Sequence, residues 1–277
     1  IMLRSVIPLV LLSLSSASAF MATSSIGSLA ARSGRTMALR SAQRPAVSMQ
    51  VVDDKTEVRE YFNSEGFNRW NKIYSESEDV NKVQMFIRTG HQQTIDKVLG
   101  WVDSDGSAAS GATFCDAGCG VGSLAIPLAQ LGANVKASDI SSAMADEAAR
   151  RAGEMDLKGS ATFETADLES LSGSYDTVTC IDVLIHYPTE KMDDMVGHLC
   201  SLTDKRFIIS FAPFTPFYAA LKWVGSMAPG PSKATRAYLH KEEDVVASLQ
   251  KRGFKVKRSE MTATNFYFSR LLEAVKE

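Results

Sequence analysis

The chain has 277 residues, 45% hydrophobic and 22% charged, a globular composition that excludes collagen-like, disulfide-knot and wholly disordered classes. Its 30 Lys+Arg and 32 Asp+Glu leave a net charge of −2, but residues 1–52 hold five arginines and no acid, so the remainder stands at 25 basic against 32 acidic residues. A globule at −7 lacks the broad positive charge that neutralises phosphates, which argues against nucleic acid as a partner.

At the N-terminus, Arg4 precedes an apolar run from Val6 to Leu14 and then Ala17-Ser18-Ala19. A charged start, a short hydrophobic core and a small-x-small site make a secretory signal, and the run is too short to span a bilayer. Residues 20–49 are rich in Ser, Ala and Arg and contain no acid, which is transit-peptide composition. The pair resembles the bipartite plastid presequence of algae with secondary plastids, in which Ala17-Ser18-Ala19-Phe20 marks the cut. Residues 1–49 are therefore expected to be a disordered targeting segment, and residues 53–277 one α/β domain. Four cysteines are too few for a disulfide framework. Cys115 and Cys119, spaced C-x3-C, have no companion His/Cys cluster, so no protein metal site is expected.

Residues 56–102 read as a mostly helical arm. Val80, Val83, Ile87, Thr94, Ile95, Val98 and Leu99 recur at helical spacing, behind an aromatic stretch of Tyr61, Phe62, Phe67, Trp70 and Tyr74. Residues 103–111 are polar and Gly/Ser-rich, hence a loop. A β/α alternation follows. Strands are predicted over 113–117, 134–138, 161–165, 175–180 and 206–211, with helices over 124–130, 141–152, 193–202 and 242–251. Two strand-like runs, 254–261 and 266–275, end the chain as a hairpin. This pattern predicts a Rossmann-like, mainly parallel seven-stranded sheet with one antiparallel strand near an edge.

Asp116-Ala-Gly118-Cys-Gly120-Val-Gly122 lies between a predicted strand and helix, where glycines let a ligand approach the backbone and a helix N-terminus. Asp139, 21 residues beyond Gly118 at the end of the next strand, suits a ribose hydroxyl pair. These features fit a nicotinamide site and an S-adenosylmethionine site. Three details favour the second: Asp116 offers a carboxylate for an amino-acid ammonium, Asp167 follows the third strand, and the chain ends in a hairpin. His186 follows the fourth strand, at the sheet edge where ligands bind.

Residues 205–241 contain no acid, six basic residues, seven aromatics (Phe207, Phe211, Phe214, Phe217, Tyr218, Trp223 and Tyr238) and four of the eight prolines. Clearing acids from one segment of an acidic globule predicts a lid, over 211–240, for an anion with a large flat apolar body.

Several strings together carry a resemblance: Tyr61-Phe62-Asn63, Gly66 to Tyr74, Ile87-Arg88-x-Gly90-His91, Cys115 to Gly120, Ala137 to Ser141, Asp182 to Pro188, Ser210 to Pro213, Gly230 to His240 and Met261 to Thr264. They resemble the magnesium-protoporphyrin IX methyltransferases of chlorophyll synthesis over about residues 56–277. The resemblance implies a class I S-adenosylmethionine-dependent fold and methyl transfer to a propionate carboxylate of Mg-protoporphyrin IX. The magnesium then arrives in the substrate. It implies cofactor contacts from Arg88, Asp116, Gly118, Gly120, Gly122, Asp139, Ile140, Asp167, Leu168 and Asp182. His186 and Tyr74 are expected to orient the propionate, and Lys233, Arg236, Tyr238 and Phe214 to hold the substrate. It also implies hand-over from the magnesium chelatase large subunit and loose plastid membrane association. The alternatives are a methyltransferase for another small acid or amine, and a non-catalytic porphyrin carrier.

Overall fold

The computed structural model describes residues 54–75, 79–104, 110–220 and 237–277. The chain divides into two units, 1–49 and 50–277, and every described residue lies in the second. The targeting segment and most of the lid, including Lys233 and Arg236, lie outside the described residues.

Three helices form the arm: α1 (Asp54–Phe62), α2 (Glu65–Ile73) and α3 (Lys82–Ser104). Then come β1 (Thr113–Ala117), α4 (Ala125–Gln130), β2 (Asn134–Asp139), α5 (Ser142–Gly153), β3 (Ser160–Thr165), β4 (Tyr175–Cys180), α6 (Thr189–Ser201), β5 (Thr203–Phe211), α7 (Glu242–Gln250), β6 (Phe254–Ala263) and β7 (Phe268–Lys276). The seven strands run in the order β3-β2-β1-β4-β5-β7-β6. β7 is antiparallel to both neighbours, and the other pairings are parallel.

The central strands are apolar on both faces because helices cover both sides. β5 shows this through its two-residue period: Phe207, Ile209 and Phe211 enter the core beneath α6 and α7, while Ile208 enters the one beneath α3 and α4. The order reverses between β1 and β4, which opens a crevice at their carboxyl ends.

The expected sheet is present; the two largest shifts at element ends have physical causes. α6 begins at Thr189 rather than 193, because Pro188 precedes it with a φ of −56° and the first turn needs no apolar residue. β5 begins at Thr203 rather than 206. Its exposed Asp204 and Lys205 break the apolar run, yet Thr203 already pairs with Tyr175.

Candidate functional site

A cavity of about 500 Å³ opens at the carboxyl ends of β1 and β4, within the ~300–1,000 Å³ usual for small-molecule sites. Gly118, Cys119 and Gly120 form part of its floor. Gly118 has φ +84°, and a Cβ there would meet Val183 Cγ2 at 2.2 Å. Gly120 has φ +53° and open space beside it, while its N–H donates to Asp139 Oδ2 at 2.9 Å. Gly118→Ala is therefore expected to lower unfolding free energy by about 1–3 kcal/mol through backbone strain and overlap. Chemical denaturation measures this, and unchanged stability would show that the turn tolerates a side chain.

Asp116 is 2% exposed and lines the cavity. One carboxylate oxygen accepts from Thr179 Oγ1 at 2.8 Å, and the other, Oδ2, is buried without a partner. Burial pushes its carboxyl up to about 6; Thr179 opposes the shift and Asp139 adds to it. A buried, half-satisfied carboxylate is a receptor for a cationic group. Asp139 also lines the cavity, with its Oδ1 accepting from Ser141 N at 2.9 Å. Burial raises this carboxyl despite the two backbone bonds. Ile140 and Leu168 line the cavity beside it.

Three of the expected cofactor residues, Gly122, Arg88 and Asp167, are not among the lining residues; Gly122, with φ +84°, packs against α4, where a Cβ would meet Ile126 Cδ1 at 2.9 Å. Arg88 is not among the lining residues. Its Nε and Nη2 donate to the carbonyls of Ile73 and Lys72 at 2.6 and 2.9 Å, so it satisfies the open C-terminus of α2. Asp167 is not among them either: its Oδ2 pairs with Lys55 Nζ at 3.1 Å and its Oδ1 accepts from Glu169 N. Leu168, the next residue, supplies the apolar wall.

Asp182 has φ +59°, the only non-glycine positive φ among the described residues. A residue held in this region needs surrounding support, which here is polar. Its carboxylate receives Tyr267 Oη at 2.8 Å, Ser210 Oγ at 3.0 Å and Ser269 Oγ at 3.3 Å, with His91 Nδ1 at 2.8 Å. It lines the cavity, but its oxygens are engaged by the protein, so it organises the wall.

His186 sits on the 3₁₀ turn Leu184–His186, edge-on to Phe62 of α1 at a centroid distance of 5.4 Å. Its Nδ1 is buried without a partner. Burial pushes the imidazole down to about 4, against the opposing pull of Asp182, so it is neutral at physiological pH. Tyr74 lines the same cavity, stacked on His91 at 4.3 Å, and burial with the Asp182 charge raises its hydroxyl well above the usual range. Both are uncharged hydrogen-bonding groups.

The arm closes one side through Lys55, Tyr61, Phe62, Arg69 and Trp70. Polar bonds tie it to α5. Asn63 Oδ1 accepts from Ser141 Oγ at 2.9 Å, and Arg151 donates to Tyr74 O at 3.0 Å and to Asn71 Oδ1 at 2.6 Å. Of the lid, the two described ends reach the cavity: Phe211, Ala212, Pro213 and Tyr218 from one side, Ala237 and Leu239 from the other. The ends are joined by Phe214 N donating to His240 O at 2.7 Å and His240 N to Ala212 O at 2.9 Å. Phe214 and Tyr238, expected at the substrate, are not among the lining residues; Phe214 is 45% exposed, and Tyr238 N donates to Ile185 O at 2.8 Å.

His91, Tyr267, Lys55 and Arg69 received no role from sequence, yet all four line the cavity. His91 had a signal: it lies on the face of α3 that buries Thr94, Ile95 and Val98, where a titratable ring is out of place.

A crevice with a glycine turn, a buried carboxylate with one unpartnered oxygen, a second carboxylate on the next strand and an apolar wall suits the ammonium, ribose and adenine of S-adenosylmethionine. Comparison with known proteins agrees. Residues 180–276 match the family model described as magnesium-protoporphyrin IX methyltransferase C-terminus, and residues 114–205 match a methyltransferase domain. Magnesium-protoporphyrin O-methyltransferase of Synechocystis is 56% identical over 82% of this chain and 98% of its own length. The chloroplastic magnesium protoporphyrin IX methyltransferase of Arabidopsis thaliana is 56% identical over 80% and 71%. The crystal structure of the Synechocystis PCC 6803 magnesium protoporphyrin IX methyltransferase with bound SAH superposes with a TM-score of 0.74 at 53% identity, covering 81% of this chain and 100% of that one. At 56% identity over 82% of its length, the chain belongs to the magnesium-protoporphyrin O-methyltransferase family.

Proposed function

We propose that this protein transfers a methyl group from S-adenosylmethionine to a propionate carboxylate of Mg-protoporphyrin IX, giving the monomethyl ester on the route to chlorophyll. One observation carries the reading: unpartnered buried atoms of Asp116 and His186 belong to the same largely apolar cavity. The first suits a cationic donor, the second a ligand group that needs a directed hydrogen bond, and the aromatic arm suits a flat macrocycle.

When bound, S-adenosylmethionine supplies an electrophilic methyl group. Asp116 would hold its ammonium, Asp139 its ribose, and Ile140 and Leu168 would flank its base. A carboxylate with an ordinary pKa of about 4–5 is already ionised at neutral pH, so the acceptor needs no general base. The protein's part is to align and desolvate. His186 and Tyr74 would direct the propionate by hydrogen bonds, while Phe62 and Trp70 exclude water. Orientation of this kind can contribute up to about 7–11 kcal/mol. Attack by an anion on a cation loses charge toward the transition state, so a dry site assists, provided the alignment is kept. Lys233 and Arg236 of the lid would clamp a propionate, Arg236 by two parallel bonds.

In the cell, the reading extends to a plastid protein. It would receive its substrate from the magnesium chelatase large subunit and associate loosely with plastid membranes, in an alga with a secondary plastid. The 56% identity to a chloroplastic plant relative supports the compartment. The test is incubation of the protein with S-adenosylmethionine and either Mg-protoporphyrin IX or its dimethyl ester. Monomethyl ester and stoichiometric S-adenosylhomocysteine from the free acid, with neither from the blocked ester, are expected. S-adenosylhomocysteine formation from both, or from neither, would reject it.

A further inference from the structure

Arg69 lies on α2, is partly buried and lines the cavity. A guanidinium is a cation with five N–H donors and no acceptor. Its Nε is buried without a partner, and among the described residues no carboxylate lies within ion-pair distance of the group. Its neighbour is the Trp70 ring, whose centroid lies 5.8 Å from Cζ. Lys55, the other cation that the arm brings to the cavity, is already paired with Asp167 and Glu169. The arm does not need Arg69 to stay in place. Arg88 fastens the end of α2 through the carbonyls of Ile73 and Lys72, and Arg151 fastens Asn71 and Tyr74 to α5. A buried donor left without an acceptor costs stability, so its place in a ligand cavity is explained by what the ligand brings.

We infer that Arg69 is a carboxylate-binding residue of this cavity: its guanidinium donates to a carboxylate of a bound ligand, with Trp70 lying against it. The planar fork matches a carboxylate by two parallel bonds. Two ligands of the reaction carry this group, the methyl donor at its methionine end and the acceptor in its propionates. The surroundings favour a propionate. Trp70 lies 5.5 Å from Tyr74 and 6.4 Å from Phe62, and Phe62 lies 5.4 Å from His186, so Arg69 belongs to the aromatic group that carries Tyr74 and touches His186. Only the propionate source rests on the function proposed above.

Two substitutions separate charge from packing. Arg69→Met keeps an unbranched apolar stem beside Trp70 and removes the fork. Arg69→Lys keeps a positive charge without the fork. Affinities are measured by fluorescence with Mg-protoporphyrin IX, its monomethyl ester and its dimethyl ester. Calorimetry gives those for S-adenosylhomocysteine and its decarboxylated analogue, which keeps the ammonium. Arg69→Met is expected to weaken Mg-protoporphyrin IX by about 10- to 100-fold, the size for lost bonds to a charged group, while the dimethyl ester and S-adenosylhomocysteine stay within about threefold. Arg69→Lys recovers part of the loss, because a point charge remains. The monomethyl ester identifies the propionate: weakened like the free acid, it places Arg69 on the arm that is not methylated; unchanged like the diester, on the arm that is. A loss confined to S-adenosylhomocysteine and absent from its decarboxylated analogue supports the same role with the donor as the source. Equal weakening with and without carboxylate, or no change with any ligand, would overturn the inference. If Arg69→Met fails to fold, Arg69→Gln against Arg69→Lys makes the same comparison. Ester formation by the wild type together with variants that bind every ligand normally would reject the role of Arg69 and leave the proposed function standing. Should the wild type bind no porphyrin, the proposed function fails while the S-adenosylhomocysteine pair still decides the role of Arg69.

Discussion

Asp116→Asn is expected to weaken S-adenosylmethionine binding by at least about 30-fold while leaving the ligand-free protein as stable as before, or more so. Removing one partner of a buried charged pair costs about 2–5 kcal/mol, and the lower bound is roughly 30-fold. Without ligand the same carboxylate is a liability. It is buried, one oxygen has no partner, and burial places its pKa at about 6 against the opposing bond from Thr179. The folded value thus lies above the unfolded value of about 3.9. The native state binds more protons in between, so stability is greatest below about 4, falls as pH rises toward about 6, and stays at the lower level above that. Asparagine removes the cost at neutral pH. In the wild type, the ammonium loses its ionised partner on acidification, so donor affinity should fall as pH drops through about 6. Calorimetry and thermal melting at pH 7.5 and 5.5 check all three effects. A variant that binds normally but melts lower would assign Asp116 to the fold.

His186→Ala is expected to cut turnover by about 100- to 1,000-fold, the range for losing a preorganised hydrogen bond at a reacting group, while donor affinity changes less than about threefold. The ring is held edge-on to Phe62, and burial makes it neutral by pushing it down to about 4. It therefore acts as a fixed hydrogen-bonding group, and the rate has no limb from His186 between pH 6 and 9. His186→Gln should restore part of the rate. Single-turnover kinetics with pre-bound donor separate chemistry from binding. Loss of donor affinity with an intact chemical step would contradict the assignment.

The sheet was legible because its signals are short-range. Apolar strands, the glycine turn and Asp139 each lie within a few residues of the element that explains them. The same holds for Asp116, near the end of β1, and for His186, on the turn that follows β4. What escaped depends on chain segments that meet only in the fold. Arg88 is expected at the cofactor from the resemblance, but α2 folds back and offers it two open carbonyls. Asp167 sits after β3 as expected, yet Lys55, from the start of α1, reaches across and takes its carboxylate. The His91–Asp182–Tyr267 group joins α3, the end of β4 and the final hairpin, and forms because β7 inserts between β5 and β6. Phe214 was grouped with the substrate aromatics by composition alone. Along the strand leading to it, Phe207 is core and Phe211 lines the cavity, while Phe214 is partly exposed and not among the lining residues.

The most direct test is a single turnover with donor labelled in its methyl group with ¹³C and Mg-protoporphyrin IX labelled with ¹⁸O in the propionates. The label should appear in one base-labile methyl ester with both carboxylate oxygens retained, as attack by the ionised carboxylate requires. Methyl label on carbon or nitrogen, or transfer with loss of ¹⁸O, would contradict direct attack by the carboxylate.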